Sequence, residues 1–296
     1  MAETSPLPSP LRALRSIIPR RWRRDVPFVP VVRLTGIIGL STPLRPGLTL
    51  SSSARALERA FAFRKAKAVA LAINSPGGSA VQSHLIFTRI RQLAAEKSMP
   101  VIAFVEDVAA SGGYMIACAA DEIVADETSI VGSIGVVGGS FGFHRLLDKI
   151  GIERRLYTSG EHKAMLDPFL PEKPEDVSRL KEIQREIHDH FIALVRGRRG
   201  AALANEPDLF SGEYWTGRRA IDLGLVDRLG DLRATLRERF GDKVETPLIT
   251  SARGWFGRPA PGITAGEPEI LGRGPSFAAD LLSALEARAL WGRYGL

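Results

Sequence analysis

Apolar residues in this chain come in short, nearly continuous runs, separated by stretches whose apolar positions recur every three or four residues. Residues 68–73 and 101–105 carry no charge at all, which reads as strands buried on both faces. Between them Val81, Leu85, Ile86, Ile90 and Leu93 line one side of a helix. Continued along the chain, the pattern predicts strands over residues 29–40, 68–73, 101–105, 130–137 and 152–157. Helices are predicted over 54–63, 81–95, 111–119 and 141–150. Alternation of this kind means an α/β domain with a mostly parallel sheet between helices. Its chemistry is expected at the carboxyl ends of the strands.

Further along, residues 160–175 are polar and proline-containing, and read as a loop. A long helix follows, with Val177, Leu180, Ile183, Ile187 and Leu194 on one face. It ends in the basic run Arg196-Gly197-Arg198-Arg199-Gly200, read as a flexible corner, either solvated or strapped over a cleft. Residues 252–275 are rich in proline and glycine and read as a linker. Residues 277–291 then form a terminal helix whose Leu281, Leu282, Leu285 and Leu290 need a partner. The partner is this domain, a sister subunit or a membrane. The chain divides into a tail (1–28), one catalytic domain (29–245), and a linker with its helix (246–296).

Four segments carry chemistry. Ala109-Ala110-Ser111-Gly112-Gly113-Tyr114 follows a strand and opens a helix, so Ser111 points above the strand ends; it is a nucleophile or a plain N-cap serine. Ile73-Asn74-Ser75-Pro76-Gly77-Gly78-Ser79 is a strand-to-helix turn that frees backbone N–H groups, the usual material of an oxyanion hole. A bland tight turn explains its glycines too. Val131-Gly132-Ser133-Ile134-Gly135 is a glycine-interrupted strand with one hydroxyl, and Thr158-Ser159-Gly160-Glu161-His162-Lys163 is loop-like. A lysine serves as base to a serine where desolvation or nearby donors keep it neutral. Taken singly, Lys163 reads as a surface lysine and Ser133 as a strand serine.

In this order the four segments resemble the signal peptide peptidase A family of serine peptidases, within the Clp-protease/crotonase superfamily. The resemblance runs from about Val31 to Leu236. It includes Ala220-Ile221-Asp222-Leu223-Gly224-Leu225-Val226-Asp227, similar to the family's G-x-x-A-x-x-x-G-L-V-D segment. It implies a fold of stacked ββα units, here in a single copy with a C-terminal helical extension. By the same resemblance Ser111 matches the nucleophile, Lys163 the general base and Ser133 the serine that hydrogen-bonds the lysine. Gly78 and Gly112 match the oxyanion-hole donors. The implied activity is endopeptidase cleavage of extended peptides, such as signal-peptide remnants or membrane-protein segments, by a homo-oligomer. A crotonase-type acyl-CoA enzyme and an inactive membrane quality-control scaffold are the rivals.

Other chemistries find little support. The GxGxxG fingerprint and the Walker lysine are missing, and metal-ligand clusters are absent, so neither cofactor nor metal is expected. His84, His144 and His162 are isolated in sequence, and His188 and His190 face different ways on one helix. The single cysteine, Cys118, rules out an intramolecular disulfide framework and reads as core. The chain carries a net +7. Six arginines against Glu3 alone place +5 of it in residues 1–24. The rest is nearly neutral, which argues against a nucleic-acid face. Leu7, Leu11, Leu14, Ile17 and Ile18 among those arginines fit a short amphipathic helix on an anionic membrane surface, a cleaved transit peptide or a basic tail. No run approaches the roughly 18 apolar residues of a membrane span. The expected location is cytoplasmic, peripheral to the inner membrane in the first of those readings.

Overall fold

The computed structural model describes residues 26–39, 47–250, 285 and 288–295. Within them the chain forms β1 (Val31–Thr35), α1 (Leu50–Phe61), β2 (Val69–Ser75), α2 (Ala80–Lys97), β3 (Val101–Ala110), α3 (Gly112–Ala117) and β4 (Glu122–Ala125). Then come β5 (Ile130–Gly132), α4 (His144–Lys149), α5 (Pro174–Arg199), β6 (Tyr214–Thr216), α6 (Gly217–Asp222), β7 (Arg228–Leu229) and α7 (Leu232–Phe240). The main sheet has the order β1-β2-β3-β4-β7, all parallel. The α/β architecture expected from the pattern is what the chain adopts. Leu285 and residues 288–292 are helical, as expected of the terminal extension.

β3 is the spine. Its first half pairs with β4 and its second half, Val108 to Ala110, with β5. β5 in turn pairs antiparallel with β6. The sheet therefore forks, and the carboxyl end of β3 meets a two-stranded branch of the same sheet instead of open solvent. Large and small residues alternate to fill two layers. Val69, Leu71 and Ile73 of β2 enter a core shared with α1, α2 and α3. Ala70 and Ala72 face the other way, against Phe104 and Leu236 of α7.

Several expectations need correction. Residues 152–157 are not a strand: Glu153, Arg154 and Arg155 interrupt the apolar run, and Arg154 pairs with Asp167. The strand predicted to reach 137 stops at Gly132, because Gly132 (φ 103°) and Ser133 (φ 52°) turn the chain. β4 was hidden by its acidic flanks. The first strand is shorter than predicted, and Leu40 lies outside the described residues. Residues 245–249 run beside β1, with Val29 N–H donating to Glu245 O and Ile249 N–H to Val31 O. The folded unit thus passes the boundary placed at 245. The tail 1–25 and the linker 252–275 lie outside the described residues, as does most of 277–291. No helix among the described residues is long and apolar enough to cross a membrane.

The basic run at the end of α5 is neither a strap nor a loose corner. Arg198 donates to Cys118 O and Ala120 O, both at 2.8 Å, closing the carboxyl end of α3. Arg199, with a side chain only 6% exposed, makes a two-pronged pair with Asp227 and donates to Gly224 O. Burial opposes its charge, but the Asp227 carboxylate holds its pKa above the ordinary value. Asp227 Oδ2 also accepts from Ile123 N–H, so this pair joins α5, β4 and the 224–227 turn. Asp227→Ala should therefore cost about 2 kcal/mol or more, because it strands a buried guanidinium and a backbone N–H. Urea unfolding of the variant checks this.

Candidate active site

Ser111 stands where β3 breaks into α3. Its backbone is held at φ 51° and ψ −121°, a left-handed conformation that costs a non-glycine residue on the order of 1–3 kcal/mol and persists only where the surroundings enforce it. They do so from three sides. Ser111 N–H donates to Gly132 O at 2.8 Å, and Ser111 O accepts from Met115 N–H at 3.0 Å. Every residue of α3 is buried, with Tyr114 OH donating to Leu225 O at 2.8 Å. Gly77 presses so close that a Cβ there would lie 2.8 Å from Ser111 Cβ. Ser111 occupies the N-cap position, yet its hydroxyl makes no capping hydrogen bond. The plain N-cap reading therefore fails.

The Pro76-Gly77-Gly78 turn runs alongside. Gly77 (φ 101°) and Gly78 (φ 139°) take conformations open to glycine. The turn is pinned to residue 38 by Ile38 N–H to Gly77 O and Ser79 N–H to Ile38 O, both 2.8 Å. Neither Gly78 N–H nor Gly112 N–H has a partner among the described residues. Both glycines, Ser111 and Ser133 line one cleft of about 600 Å³. Met115, Val136, Ile187 and Phe191 give it an apolar wall, and no acidic residue lines it among the described residues. Ser133 is buried, with N–H donating to Glu213 O at 2.6 Å.

Lys163 is not brought to this cleft. It sits exposed in a turn, its N–H donating to Gly160 O, and it is not among the lining residues. The cause is local. Residues 135–175 contain no buried residue, and within them Phe143 stacks on Phe169 and the Arg154 guanidinium lies over Phe169. Four of the five expected site residues thus converge and the fifth stays outside.

The other chemical groups keep away. Burial pushes the Cys118 thiol up to about 12, so it is a protonated core group. His84, isolated in sequence, packs edge-on against His190 at 4.7 Å. Burial, then the neighbouring His190, lowers its pKa. Neither lines the cleft, and the described residues hold no cluster of three metal-ligating side chains. Sequence reasoning missed Tyr294, whose OH lies 3.3 Å from Ser133 Oγ. Only an aromatic residue next to the terminal helix signalled it.

A family model described as "Peptidase family S49" matches residues 94–243. A protein of Brucella abortus named Na(+)/H(+) antiporter NhaA is 56% identical over 286 residues, 96% of this chain but 39% of that protein. A putative protease of Synechocystis, slr0021, is 33% identical over 213 residues, 70% of this chain and 75% of the relative. The chloroplastic serine protease SPPA of Arabidopsis thaliana is 36% identical over 170 residues, 57% of this chain and 25% of that protein. The chain thus spans about two fifths of the Brucella relative.

The glycine turn is the least tolerant part of the cleft. A Cβ at Gly78 would lie 2.2 Å from Ile38 O, a rigid backbone atom. Gly78→Ala should break the Ile38 contact, lower stability by about 2 kcal/mol and change the exchange of the backbone amides of residues 77–79. Thermal unfolding with hydrogen exchange checks both.

Proposed function

As the chain belongs to peptidase family S49, we propose that it is a serine endopeptidase with Ser111 as nucleophile and Lys163 as general base. The family match and the protease-named relatives bear out the resemblance to signal peptide peptidase A read from the motifs. One observation carries the assignment of the nucleophile: an uncapped serine on a strained turn, in a cleft where two backbone N–H groups have no partner among the described residues. In this reading Ser111 Oγ attacks the scissile carbonyl carbon while Lys163 Nζ takes its proton. The carbonyl oxygen, now negative, is held by the N–H groups of Gly78 and Gly112. The amine leaves with the proton from Lys163, and water then hydrolyses the acyl-enzyme.

The mechanism requires the 158–170 loop to move, because Lys163 lies outside the cleft. The stretch leading into that loop carries Phe141, Leu146, Ile150 and Ile152, all more than half exposed, much apolar surface for a lone chain. A second copy of the chain covering this face supplies the packing energy that would seat Lys163 beside Ser133, so the working enzyme is a homo-oligomer. The apolar wall fits extended peptides with apolar side chains. The Brucella relative, of which this chain spans 39%, is named an antiporter, which supports substrates presented at a membrane. Acyl-CoA chemistry of the crotonase type needs a carboxylate for proton transfer, and none of the described residues lining the cleft supplies one.

Ser111→Ala should lower peptide cleavage at least about 10³-fold with folding intact, and Lys163→Arg should fall as far, since a guanidinium does not give up its proton near neutral pH. Ser133→Ala should keep measurable activity, reduced about 2- to 13-fold by loss of one hydrogen bond. Wild-type activity should climb towards alkaline pH, because only an uncharged amine accepts the proton. Full activity of either the alanine or the arginine variant contradicts the dyad.

A further inference from the structure

The terminal residues do not stand off from the domain. Tyr294, 9% exposed, seats its ring on Val108 and Ala110, with Trp291 and Ile130 beside it. It stacks edge-on against Tyr214 at 5.1 Å, and Tyr214 OH donates to Arg293 O at 3.1 Å. The phenol oxygen reaches two groups of the cleft, Ser133 Oγ at 3.3 Å and Pro76 O at 3.5 Å. Leu290, Arg293 and Tyr294 all line the space around Ser111. Of the described apolar positions that the sequence left without a partner, Leu290 reaches the cleft, whereas Leu285 is 55% exposed.

We propose that residues 288–295 are a built-in plug, which occupies the Ser111 cleft at rest and yields to peptide. The inference rests on the peptidase reading of that cleft. Two features give the segment this effect. It walls the cleft along which an extended peptide would lie, and it holds the Ser133 hydroxyl that the lysine would use. Because it is tethered, its effective concentration at the cleft stays high, and modest contacts suffice to compete with free substrate. A peptide then binds only the fraction of molecules with the plug out, so its apparent affinity falls by that fraction while saturating turnover does not.

The test uses the full chain and two readouts. Tyr294→Asp places a charge in the apolar seat, and Trp291→Ser removes the other anchor without touching Ser133. Each should lower KM for a short peptide about 5-fold or more, with kcat little changed. An unchanged or raised KM in both variants overturns the plug. The second readout needs no catalysis. Nitration by tetranitromethane, mapped by mass spectrometry, should modify Tyr157, which is 89% exposed, at least about tenfold faster than Tyr294. Saturating peptide on the Ser111→Ala protein should abolish that protection. Tyr294 reacting as fast as Tyr157 in the absence of peptide overturns the docking itself, whatever the catalytic result. Protection of Tyr294 in a protein that cleaves no peptide under any condition would instead support the docking and overturn the peptidase reading.

Discussion

Everything in the cleft depends on one strained residue being held in place. β3 delivers Ser111 to a left-handed turn, and the fully buried α3 behind it leaves the chain no room to relax. The strain is offset by packing. Tyr114 is anchored to Leu225, Arg198 closes the end of α3, and Arg199 with Asp227 ties that end to β4. The glycines follow from the same constraint: Gly77 and Gly112 have no room for a Cβ, and Gly113 sits against Ser75 O, where a Cβ would come to 2.5 Å. A serine hydroxyl freed from capping, beside N–H groups that have no partner among the described residues, is the outcome of that crowding.

The molecule divides into a finished half and an unfinished one. The ends of β2, β3 and β5 and Ser133 are buried, and the glycine turn, buried at Pro76 and Gly77, is cross-linked by backbone hydrogen bonds. Residues 135–175, which carry Lys163, contain no buried residue. Regions with few buried contacts are those whose position is cheapest to change. On the proposed reading, the nucleophile and the oxyanion donors are organised in advance, and the base arrives with assembly or substrate. The terminal segment keeps the same cleft occupied meanwhile.

Much of this was legible in the sequence because it rests on local rules. Charge-free runs gave β2 and β3, helical periodicity gave α2, and glycine pairs after a strand marked both turns of the site. What was not legible depends on distant partners. Residues 152–157 look strand-like, but the folded chain offers them no sheet edge. The arginines at the end of α5 look solvated, but their acceptors, Cys118 O and Asp227, lie far away in sequence. Tyr294 looks like the end of a helix, and its contact with Ser133 spans 161 residues. Local pattern also could not foretell that Lys163 would lie outside the cleft, because its loop takes its position from what covers it.

The account stands or falls on the reactivity of one hydroxyl. Treating the full chain with a fluorophosphonate and mapping the adduct by peptide mass spectrometry reads it directly. The predicted result is a single adduct on Ser111, formed markedly more slowly in Lys163→Ala. Modification of some other serine, with Ser111 untouched, would contradict it.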